Sequence, residues 1–552
     1  MPIDLPPSLP PSLENPSSVI DEQRSRGAYI RTVGDFSVQV SGDHYLSFDE
    51  LEAIFDKART PSEAILLMND QTRQKGHWLV EYLYARPVNG IVHVLAIQKR
   101  LGEIEGDDAI THFFSGLENT PSLKRHEFLR RQILANQYSR RTGRDYSTTY
   151  SSANAGALNI QLNEKASSKR KRWRGSLQLG NQGNRFVGRY FADTALSYTF
   201  SRGTQLQARH QRAIPEWGET GEGEDYNSNR LSISHPSRWG IYELEASHSE
   251  YTRNITTPAT AGSCSAALFG GVCLSSTPGQ AASSESFDAT IQTVAINAQQ
   301  LISADTDHRW TLQQRLEYID SELSNRSLTP QDESYTALEI GTRYEALTPV
   351  AGKALNWRIS LHIDHGLSSD SGTFATAPES PSVAIGKRTA EFTTAKPSFS
   401  VIYPITEHWE AELSAQAQLT NDQLPQQQQW VLGGTSRLHA YLPGVLVGDS
   451  GYHAKASLKR KWSINDDVTL SASVFYEAGA AGYEDVQLGN SEDVDLSQYS
   501  TLQDAGLSAS IRAGDHLELT AVAAAPTADS NISVDHIEAQ EADFFIVLKA
   551  SF

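Results

Sequence analysis

The distribution of apolar and polar residues divides the chain into two parts. Between residues 34 and 168, some segments repeat apolar positions with helical spacing and others alternate, which is typical of mixed α/β structure. From residue 169 onward the helical spacing disappears. Alternating segments of about 9–14 residues, separated by polar, Gly-rich or Pro-rich loops, fill the rest of the chain. The pattern predicts an α/β part followed by an all-β part.

The α/β part contains one pattern twice. In residues 34–105, an alternating strand is followed by two helices with capping signals and by two strands joined at Asn89-Gly90. A weaker copy of this order occupies residues 106–168. We therefore predict two tandem modules, each with the order β-α-α-β-β.

The all-β part has the features of membrane-spanning strands. In one segment, Leu355, Trp357 and Ile359 share a face, with polar residues between them. Strands of a soluble sandwich are typically five or six residues long, whereas these match tilted strands that cross a bilayer. Aromatic residues near the segment ends match interfacial girdles. We predict a transmembrane β-barrel of 16 antiparallel strands over residues 169–552, with strands beginning near 173, 187, 203, 229, 240, 285, 308, 335, 354, 392, 408, 454, 468, 501, 516 and 543.

The last segment shows why a closed barrel is favoured. Its apolar stripe ends with the chain at an aromatic residue, and consists of Phe544, Ile546, Leu548, Ala550 and Phe552. As a free edge strand, this segment would invite aggregation. We expect it to pair with the first barrel strand, so that lipid covers its apolar face.

Composition narrows the possible functions. Hydrophobic residues make up 39% of the chain, the mean hydropathy is −0.42, and no apolar run is long enough for a spanning helix. A barrel is compatible with these values because its strands expose only alternate residues to lipid. The net charge of −19 argues against a general nucleic-acid binder. The scattered histidines predict no metal site.

The two cysteines, Cys264 and Cys273, lie in a short loop rich in Gly, Ser and Ala. An intracellular protein could hold them reduced, but an isolated local pair favours a disulfide and an oxidising compartment. The Pro-rich segment 1–33 lacks the basic start and apolar core of a signal peptide. The protein therefore stays inside the cell or is a mature form, and the barrel pattern favours the second.

Residues 424–452, between the eleventh and twelfth predicted strands, are too polar and Gly-rich to span a membrane. In its motifs this loop resembles the TpsB transporters of two-partner secretion, a family related to outer-membrane barrel assembly proteins. The family loop reads Gly-Gly, then Val-Arg-Gly-Tyr, then Gly-Asp-x-Gly. The corresponding residues here are Gly433, Gly434, Leu438, His439, Ala440, Tyr441, Gly448, Asp449 and Gly451.

The resemblance implies a partner for this loop on the thirteenth strand, where Phe475, Glu477 and Gly479 match the family's Phe-x-Asp-x-Gly. Alternation alone also places these three residues on the lumen face. In the family, the loop arginine pairs with the strand aspartate and holds the loop inside the barrel. Here we expect His439, or the nearby Arg437, to pair with Glu477. The alternative is a loop held by backbone contacts, with all three side chains solvated.

The resemblance implies an outer-membrane pore of a Gram-negative bacterium that exports a large TpsA-like exoprotein. The two modules correspond to the family's periplasmic POTRA domains, which capture unfolded cargo, and the loop gates the lumen. We expect capture by strand addition to an edge such as 77–88. Four residues of the first module are candidates for the cargo groove, although they also fit a module core: Ile65, Leu66, Trp78 and Val80.

The remaining expectations follow from the same resemblance. The terminal Phe552 matches the signal read by the barrel-assembly machinery, and periplasmic chaperones are expected partners during biogenesis. Outer-membrane lipid and lipopolysaccharide should surround a monomer. The family's amino-terminal plug helix is short or absent here, because only residues 17–26 have a helical pattern. No cofactor and no catalytic residue is expected.

Three other functions fit parts of this sequence pattern. An insertase of the same superfamily would open its barrel sideways and accept another membrane protein as cargo. A passive porin would not need the amino-terminal modules. The tetrapeptide Gly448–Gly451 matches the region around a trypsin-like nucleophile, but it lacks the fold and partners that a protease needs, and the loop motif explains the same residues.

Overall fold

The computed structural model describes residues 9–120, 122–153, 156–165, 172–183, 188–214, 217, 226–257, 264–268, 272–276, 283–326, 329, 331–367, 388–484, 499–532 and 534–552. Two α/β modules precede a closed barrel. No helix in these ranges combines the length and apolarity that crossing a membrane requires.

The first module has a five-stranded sheet in the order β1-β4-β5-β3-β2. Strands β3 and β5 are parallel, and β4 is antiparallel to β5, as the predicted β-α-α-β-β order requires. The sheet also includes two strands from residues 1–33, a segment that was predicted to lie outside the module. Its elements are β1 (Ser12–Glu14), α1 (Pro16–Gln23), β2 (Ala28–Val33), β3 (Phe36–Gly42), α2 (Phe48–Lys57), α3 (Pro61–Gln74), β4 (Val80–Ala85) and β5 (Ile91–Gln98).

The amino-terminal segment packs onto this module. Asn15 caps α1, and Pro16 stands in its first turn, where a missing N–H costs nothing. Val19 is buried against Ala85 and Leu95. The Gln23 side chain donates to the Val94 carbonyl oxygen over 2.9 Å. The helical segment expected at 17–26 is therefore part of the module surface in this structure.

The second module repeats the topology on a smaller scale. Its sheet has the order β6-β8-β7, with β6 parallel and β7 antiparallel to β8. Strand β6 starts at Arg100, six residues before the predicted start of the second module at residue 106, because its backbone pairs with β8 and not with the first module. The elements are β6 (Arg100–Gly106), α4 (Asp108–Thr111), α5 (Arg125–Thr142), β7 (Tyr146–Ala153) and β8 (Ala157–Glu164).

The barrel confirms the predicted count and direction of strands. Sixteen strands, each antiparallel to its neighbours, close between the last and the first. Several are longer than predicted and reach 22 residues. The strands are β9 (Trp173–Gly180), β10 (Phe191–Thr199), β11 (Gln205–Ala213), β12 (Asn227–Pro236), β13 (Gly240–Thr257), β16 (Ser283–Ala304), β17 (His308–Ser324), β18 (Gln331–Val350), β19 (Lys353–Gly366), β20 (Thr393–Pro404), β21 (Trp409–Gln418), β24 (Ser450–Ser463), β25 (Val468–Gly482), β26 (Ser500–Ala513), β27 (Leu517–Ser530) and β28 (Phe544–Ser551).

The barrel closes at a short seam. Strand β28 pairs with β9 from Val547 opposite Gly180 to Ser551 opposite Ser176, a shorter register than that of any other neighbouring pair described in the barrel. Phe552 extends the seam, because its backbone exchanges two hydrogen bonds of 2.9 Å with Gly175. The apolar stripe of the last strand is exposed on the outer surface, as expected for a face covered by lipid.

Between the barrel strands, the described residues also form two small hairpins and one α-helix. Strands β14 (Cys264–Leu268) and β15 (Val272–Ser276) pair with each other. Strands β22 (Trp430–Leu432) and β23 (Leu446–Gly448) form the second hairpin. Helix α6 (Val534–Gln540) precedes the last strand.

The second module docks on one rim of the barrel, which we call the module-side rim. Helix α5 lies against the turns between barrel strands on this rim. Arg125 forms an ion pair of 2.7 Å with Asp305, and the Tyr138 hydroxyl donates to the Ser201 carbonyl oxygen over 3.1 Å. Arg131 donates to the Arg238 carbonyl oxygen. Because the chain enters the barrel at this rim and ends there, the modules and Phe552 lie on the same side.

Candidate functional site

The loop between β21 and β24 folds back into the barrel lumen. We call residues 424–449 the lumen loop. Its hairpin, β22 and β23, packs against the wall strand β25. The interior of the loop is apolar, so the lumen holds a small core of its own. The loop residues buried in this core are Trp430, Leu432, Leu438, Ala440, Tyr441, Val445 and Leu446.

The two adjacent glycines set the shape of the loop. Gly433 and Gly434 have φ angles of +99° and +90°, a region that L side chains rarely adopt. A Cβ on Gly433 would lie 2.0 Å from the Leu442 carbonyl oxygen, and one on Gly434 would lie 2.7 Å from Pro443 Cγ. Any side chain here would therefore force the two halves of the loop apart.

Two further glycines allow the loop to approach the wall closely. A Cβ on Gly451 would lie 2.2 Å from Trp430 Cδ1, and one on Gly448 would lie 2.5 Å from the Gly482 carbonyl oxygen. Gly479 also lies close to the loop, because a Cβ there would lie 3.2 Å from Leu432 and Leu438 side-chain atoms, which is closer than an ordinary contact. The loop and wall thus meet at glycines on both sides.

The tip of the loop is fixed to Glu477 by His439. The His439 Nδ1 lies 2.6 Å from Glu477 Oε2, and the His439 backbone N–H donates to the same oxygen over 3.0 Å. Glu477 is fully buried, and Phe475 packs next to the imidazole with ring centroids 5.0 Å apart. The structure therefore pairs Glu477 with His439, and Arg437 lies elsewhere.

Three residues that sequence reasoning missed complete this cluster. Lys455 Nζ and His453 Nε2 lie 3.1 Å and 3.5 Å from Glu477 Oε1. Asp504 faces Glu477 from the neighbouring strand and accepts the Ala440 backbone N–H over 2.8 Å. A buried carboxylate needs such partners, because an unpaired charge in a low-dielectric interior is costly. We call these five side chains, His439, His453, Lys455, Glu477 and Asp504, the tip cluster.

Arg437 has a different role in the loop. Its guanidinium lies 3.8 Å from the Trp430 ring centroid and donates to the Val431 carbonyl oxygen over 2.9 Å. It also donates to Gln416 Oε1 on the wall over 3.3 Å. Burial lowers the pKa of Arg437 from its ordinary value. This arginine therefore closes the hairpin and does not reach the tip cluster.

The base of the loop is held by carboxylates as well. Asp449 accepts the backbone N–H of Leu424 over 3.0 Å and that of Glu484 over 3.1 Å, and burial raises its pKa. Glu333 accepts the Gln426 N–H over 3.0 Å and pairs with Arg388 at 2.8 Å. The loop is thus anchored at its base by single polar contacts to several wall positions.

The far side of the tip joins the segment that leads into the last strand. The Leu442 N–H donates to the Gln540 carbonyl oxygen over 2.7 Å. The Ala542 N–H donates to the Ala440 carbonyl oxygen over 2.8 Å. Helix α6 adds Ile537 to the apolar core of the loop. The loop tip is therefore held between β25 and the segment that precedes β28.

Comparisons with known proteins agree with this geometry. The family model of haemolysin secretion/activation proteins ShlB/FhaC/HecB matches residues 278–491, which include the lumen loop and Glu477. This match confirms the resemblance stated from the motifs. Over these residues the chain is similar to the transporters of the TpsB type.

Solved structures show the same fold. CdiB from Escherichia coli is 16% identical, with a TM-score of 0.68 and 97% of each chain covered. CdiB from Acinetobacter baumannii is 12% identical, with a TM-score of 0.58, and 97% of this chain and 98% of that chain are covered. No curated protein sequence matches the chain. The predicted fold class, two POTRA modules before a 16-stranded barrel, is confirmed.

The lumen of the barrel is lined by ion pairs. Arg315 lies 2.6 Å from Glu317 and 3.4 Å from Glu245. Gln428 of the lumen loop donates to Glu317 over 3.1 Å. These groups border a polar cavity of about 250 Å³ beside the loop. The wall that faces the cavity is therefore hydrophilic and already partnered.

The candidate cargo residues have different positions in the first POTRA module. Ile65 and Val80 belong to its buried core. Trp78 is buried in the core of the second module and donates to the Leu123 carbonyl oxygen over 3.1 Å. Leu66 is 56% exposed. Of the four, only Leu66 is open to a partner in this structure, because the others form the module cores.

The sheet edge considered for strand addition is also occupied. Strand β1 pairs in parallel with β4, from Ser12 opposite Leu83 to Glu14 opposite Ala85. Strand β2 covers the opposite edge of the same sheet by pairing with β3. The edge at 77–88 is therefore covered by the chain's own amino-terminal segment over these residues.

Two further predicted sites concern the barrel. Cys264 and Cys273 lie on the β14–β15 hairpin, but their side chains lie outside the described residues, so the disulfide stays a prediction. The Phe552 side chain is 73% exposed at the module-side rim. A Cβ on Gly175 would lie 2.2 Å from the Phe552 ring, so the ring fits here only because residue 175 has no side chain.

Proposed function

We propose that this transporter exports a large, unfolded polypeptide through the barrel, with its amino-terminal region first. The modules lie in the periplasm and capture the cargo. The lumen loop blocks the barrel at rest and moves aside during export. Folding of the cargo outside the cell gives the transport its direction.

The proposed capture site is the outer edge of β7 in the second module. Among the described strands, only β8 pairs with β7. The Lys165 N–H donates to the Asp145 carbonyl oxygen over 2.8 Å, in continuation of the β7–β8 register. Because hydrogen-bonded pairs alternate in an antiparallel ladder, the N–H and C=O groups of Thr148 face away from β8. No other described strand pairs with this edge, so these groups can pair with a cargo strand next to the barrel mouth.

The observation that best supports gating is the tip cluster. The lumen loop is held at its tip by contacts to Glu477 and Asp504, which are single hydrogen bonds and ion pairs. Water can replace such contacts when the loop moves, whereas a covalent link could not be released. The hydrophilic wall that the loop leaves behind suits a chain in extended conformation.

A reversible tether tests this proposal. We would replace Cys264 and Cys273 by serine and introduce Ala440→Cys with Asp504→Cys, at the position where backbone and carboxylate lie 2.8 Å apart. Under oxidising conditions the loop tip would be bound to the wall, and export of the cargo should stop. A reductant should restore it. Each single cysteine variant is the matched control and should export under both conditions.

The result that would contradict gating is export by the oxidised double variant. Conductance of the purified barrel provides a second readout. Deletion of residues 433–446 should enlarge the channel sharply, because these residues form most of the buried loop core. Unchanged conductance would show that the loop does not occupy the conduit.

The short seam between β28 and β9 favours a second candidate, an insertase that opens sideways. Gly180→Cys with Val547→Cys would bind the two seam strands at a pair of facing residues. A transporter that exports through its lumen should tolerate this link. The insertase would be favoured if the seam variant loses activity when it is oxidised and the oxidised loop variant stays active.

A further inference from the structure

The outer face of the barrel carries a trough of small residues across the strands β24 to β28. One cross-strand row passes through adjacent partners in register, and its three central members are alanines. The trough has a volume of about 750 Å³. The row consists of Arg460, Ala472, Ala509, Ala521 and Ile546. Trp409 of the neighbouring strand β21 lies opposite Arg460.

The neighbouring rows are larger and form the walls of the trough. Val474 and Leu507 face each other on the side away from the modules, and both are exposed. Ile511 and Leu519 face each other on the module side and are exposed as well. Because alanine side chains end at Cβ, the row between these larger side chains is a concave strip.

One end of the trough is closed by a charged side chain. The Arg460 guanidinium lies 5.4 Å from the Trp409 ring centroid and 5.0 Å from that of Trp462. Its Nε atom is buried and has no hydrogen-bond partner. Within the described residues Arg460 forms no ion pair, whereas Lys461 on the lumen side pairs with Glu410 at 2.6 Å. Among the described residues, the guanidinium therefore has no counter-ion, and its Nε–H has no acceptor.

The position of Arg460 places this charge at a membrane interface. It lies three residues before the end of β24, at the module-side rim, between two indoles of the kind that mark the headgroup level. The stacked rings hold the guanidinium in place, and its planar fork matches two oxygens of one phosphate. A headgroup phosphate at this level would meet a donor that is already oriented.

We propose that the trough binds one glycerophospholipid, with its phosphate on Arg460 and one acyl chain along the alanine row. From Arg460 to Ile546 the row crosses four strand spacings, about 19 Å. This length is comparable with the ~15 Å that an acyl chain covers in one leaflet of the hydrocarbon core. The site goes beyond the export function, and it would exist whether the barrel exports or inserts its cargo.

Titration of the purified full-length protein with phosphatidylglycerol in a phosphate-free detergent tests the proposal. Native mass spectrometry should detect saturable retention of one lipid. Arg460→Gln should weaken retention by roughly tenfold, because it removes a charge-assisted contact. Arg460→Lys should lie between the two, since it keeps the charge and loses the planar fork. Ala509→Phe should also weaken retention by filling the trough while leaving the guanidinium in place.

Two matched variants control for general effects. Arg512→Gln removes another arginine near the same rim, one that pairs with Glu518 at 3.1 Å. Ala246→Phe adds the same bulk to an exposed outer position on β13, on another part of the barrel wall. Both should retain the lipid as the wild type does.

Several outcomes would overturn the proposal. Equal retention by all variants would mean that the lipid is part of an unspecific annulus. Loss in Arg460→Gln with full retention in Ala509→Phe would mean that the trough holds no acyl chain. Displacement of the lipid by inorganic phosphate would mean that the arginine is a site for free anions.

Discussion

The two modules have the same topology but differ at the edge of the sheet. In the first module, β4 is covered by β1, and the opposite edge is covered by β2. In the second module, β7 holds the place that β4 holds in the first, and no other described strand pairs with its outer edge. The difference arises from the segment that precedes the first module and not from the modules themselves. A common fold therefore leaves one edge closed and the other open.

The open edge also belongs to the module that is fixed to the barrel. Helix α5 of the second module contacts the barrel turns through Arg125, Arg131 and Tyr138. A strand added to β7 would therefore be held near the mouth of the barrel. The first module is sealed by its own chain, which suggests separate tasks for two copies of one architecture.

The largest expected effect comes from closing the open edge. Thr148→Pro removes an N–H that points away from β8, so the ladder within the module is preserved. If cargo adds as a strand to β7, export should fall by roughly tenfold or more, because backbone hydrogen bonds supply the affinity in this mode. Secretion of the partner protein into the medium is the measurement.

Thr148→Ala is the control for this change, because it shortens the side chain and keeps the N–H. It should export normally. Normal export by Thr148→Pro, with the variant folded and inserted, would show that the β7 edge is not the capture site.

A smaller effect is expected from opening the closed edge. Removal of residues 1–14 deletes β1 and exposes the β4 backbone that pairs with Ser12–Glu14. The number of bound cargo segments per protein, measured by titration calorimetry, should then rise from about one to about two, because strand addition becomes possible at both modules. Removal of residues 1–11, which leaves β1 in place, is the matched control. An unchanged number after removal of β1 would mean that the modules differ in more than their edges.

The smallest effect is expected from pH. Burial lowers the pKa values of His44, His77 and His93 in the first module. When a folded-state pKa lies below the ordinary ~6.5, the unfolded state binds more protons, and stability falls as the pH drops below about 6.5. His44 Nδ1 also accepts the Leu46 N–H over 3.1 Å, and a proton on this atom would break that bond.

Hydrogen exchange between pH 7.5 and 5.5, corrected for the intrinsic rates, would measure this effect. Exchange of β3 and β5 should increase at the lower pH, with at most ~1.4 kcal/mol per pH unit for each histidine. Replacement of His44 by asparagine should remove part of the change. A first module that is equally protected at both pH values would contradict the assignment of neutral histidines.

The barrel could be predicted from the sequence because each membrane strand repeats the same signal. In β19, alternation from Leu355 to Ile363 places five apolar side chains on one face. Every membrane strand needs such an apolar face, because that face contacts lipid. The lumen loop could be recognised for the opposite reason. Its glycines break the alternation at positions where the backbone needs a positive φ, as at Gly433 and Gly434.

The amino-terminal strands and the tip cluster could not be predicted in the same way. Strand β1 has three residues, too few for any period, and it is stabilised by β4 and not by its own sequence. Asp504 and His453 join Glu477 only through the registers of β26 and β24 with β25. Register across strands is a property of the closed barrel, so the sequence of one strand does not carry it.

The hydrogen bonds between the loop tip and residues 540–542 have a mechanical consequence. Residue 544 begins β28, whose far side forms the seam with β9. Withdrawal of Ala440 and Leu442 would release the Gln540 and Ala542 backbone at the same moment. Movement of the loop out of the channel would thus remove hydrogen bonds that support the segment before β28, next to the seam with the shortest strand pairing. The barrel wall would be less stabilised there while a polypeptide passes through.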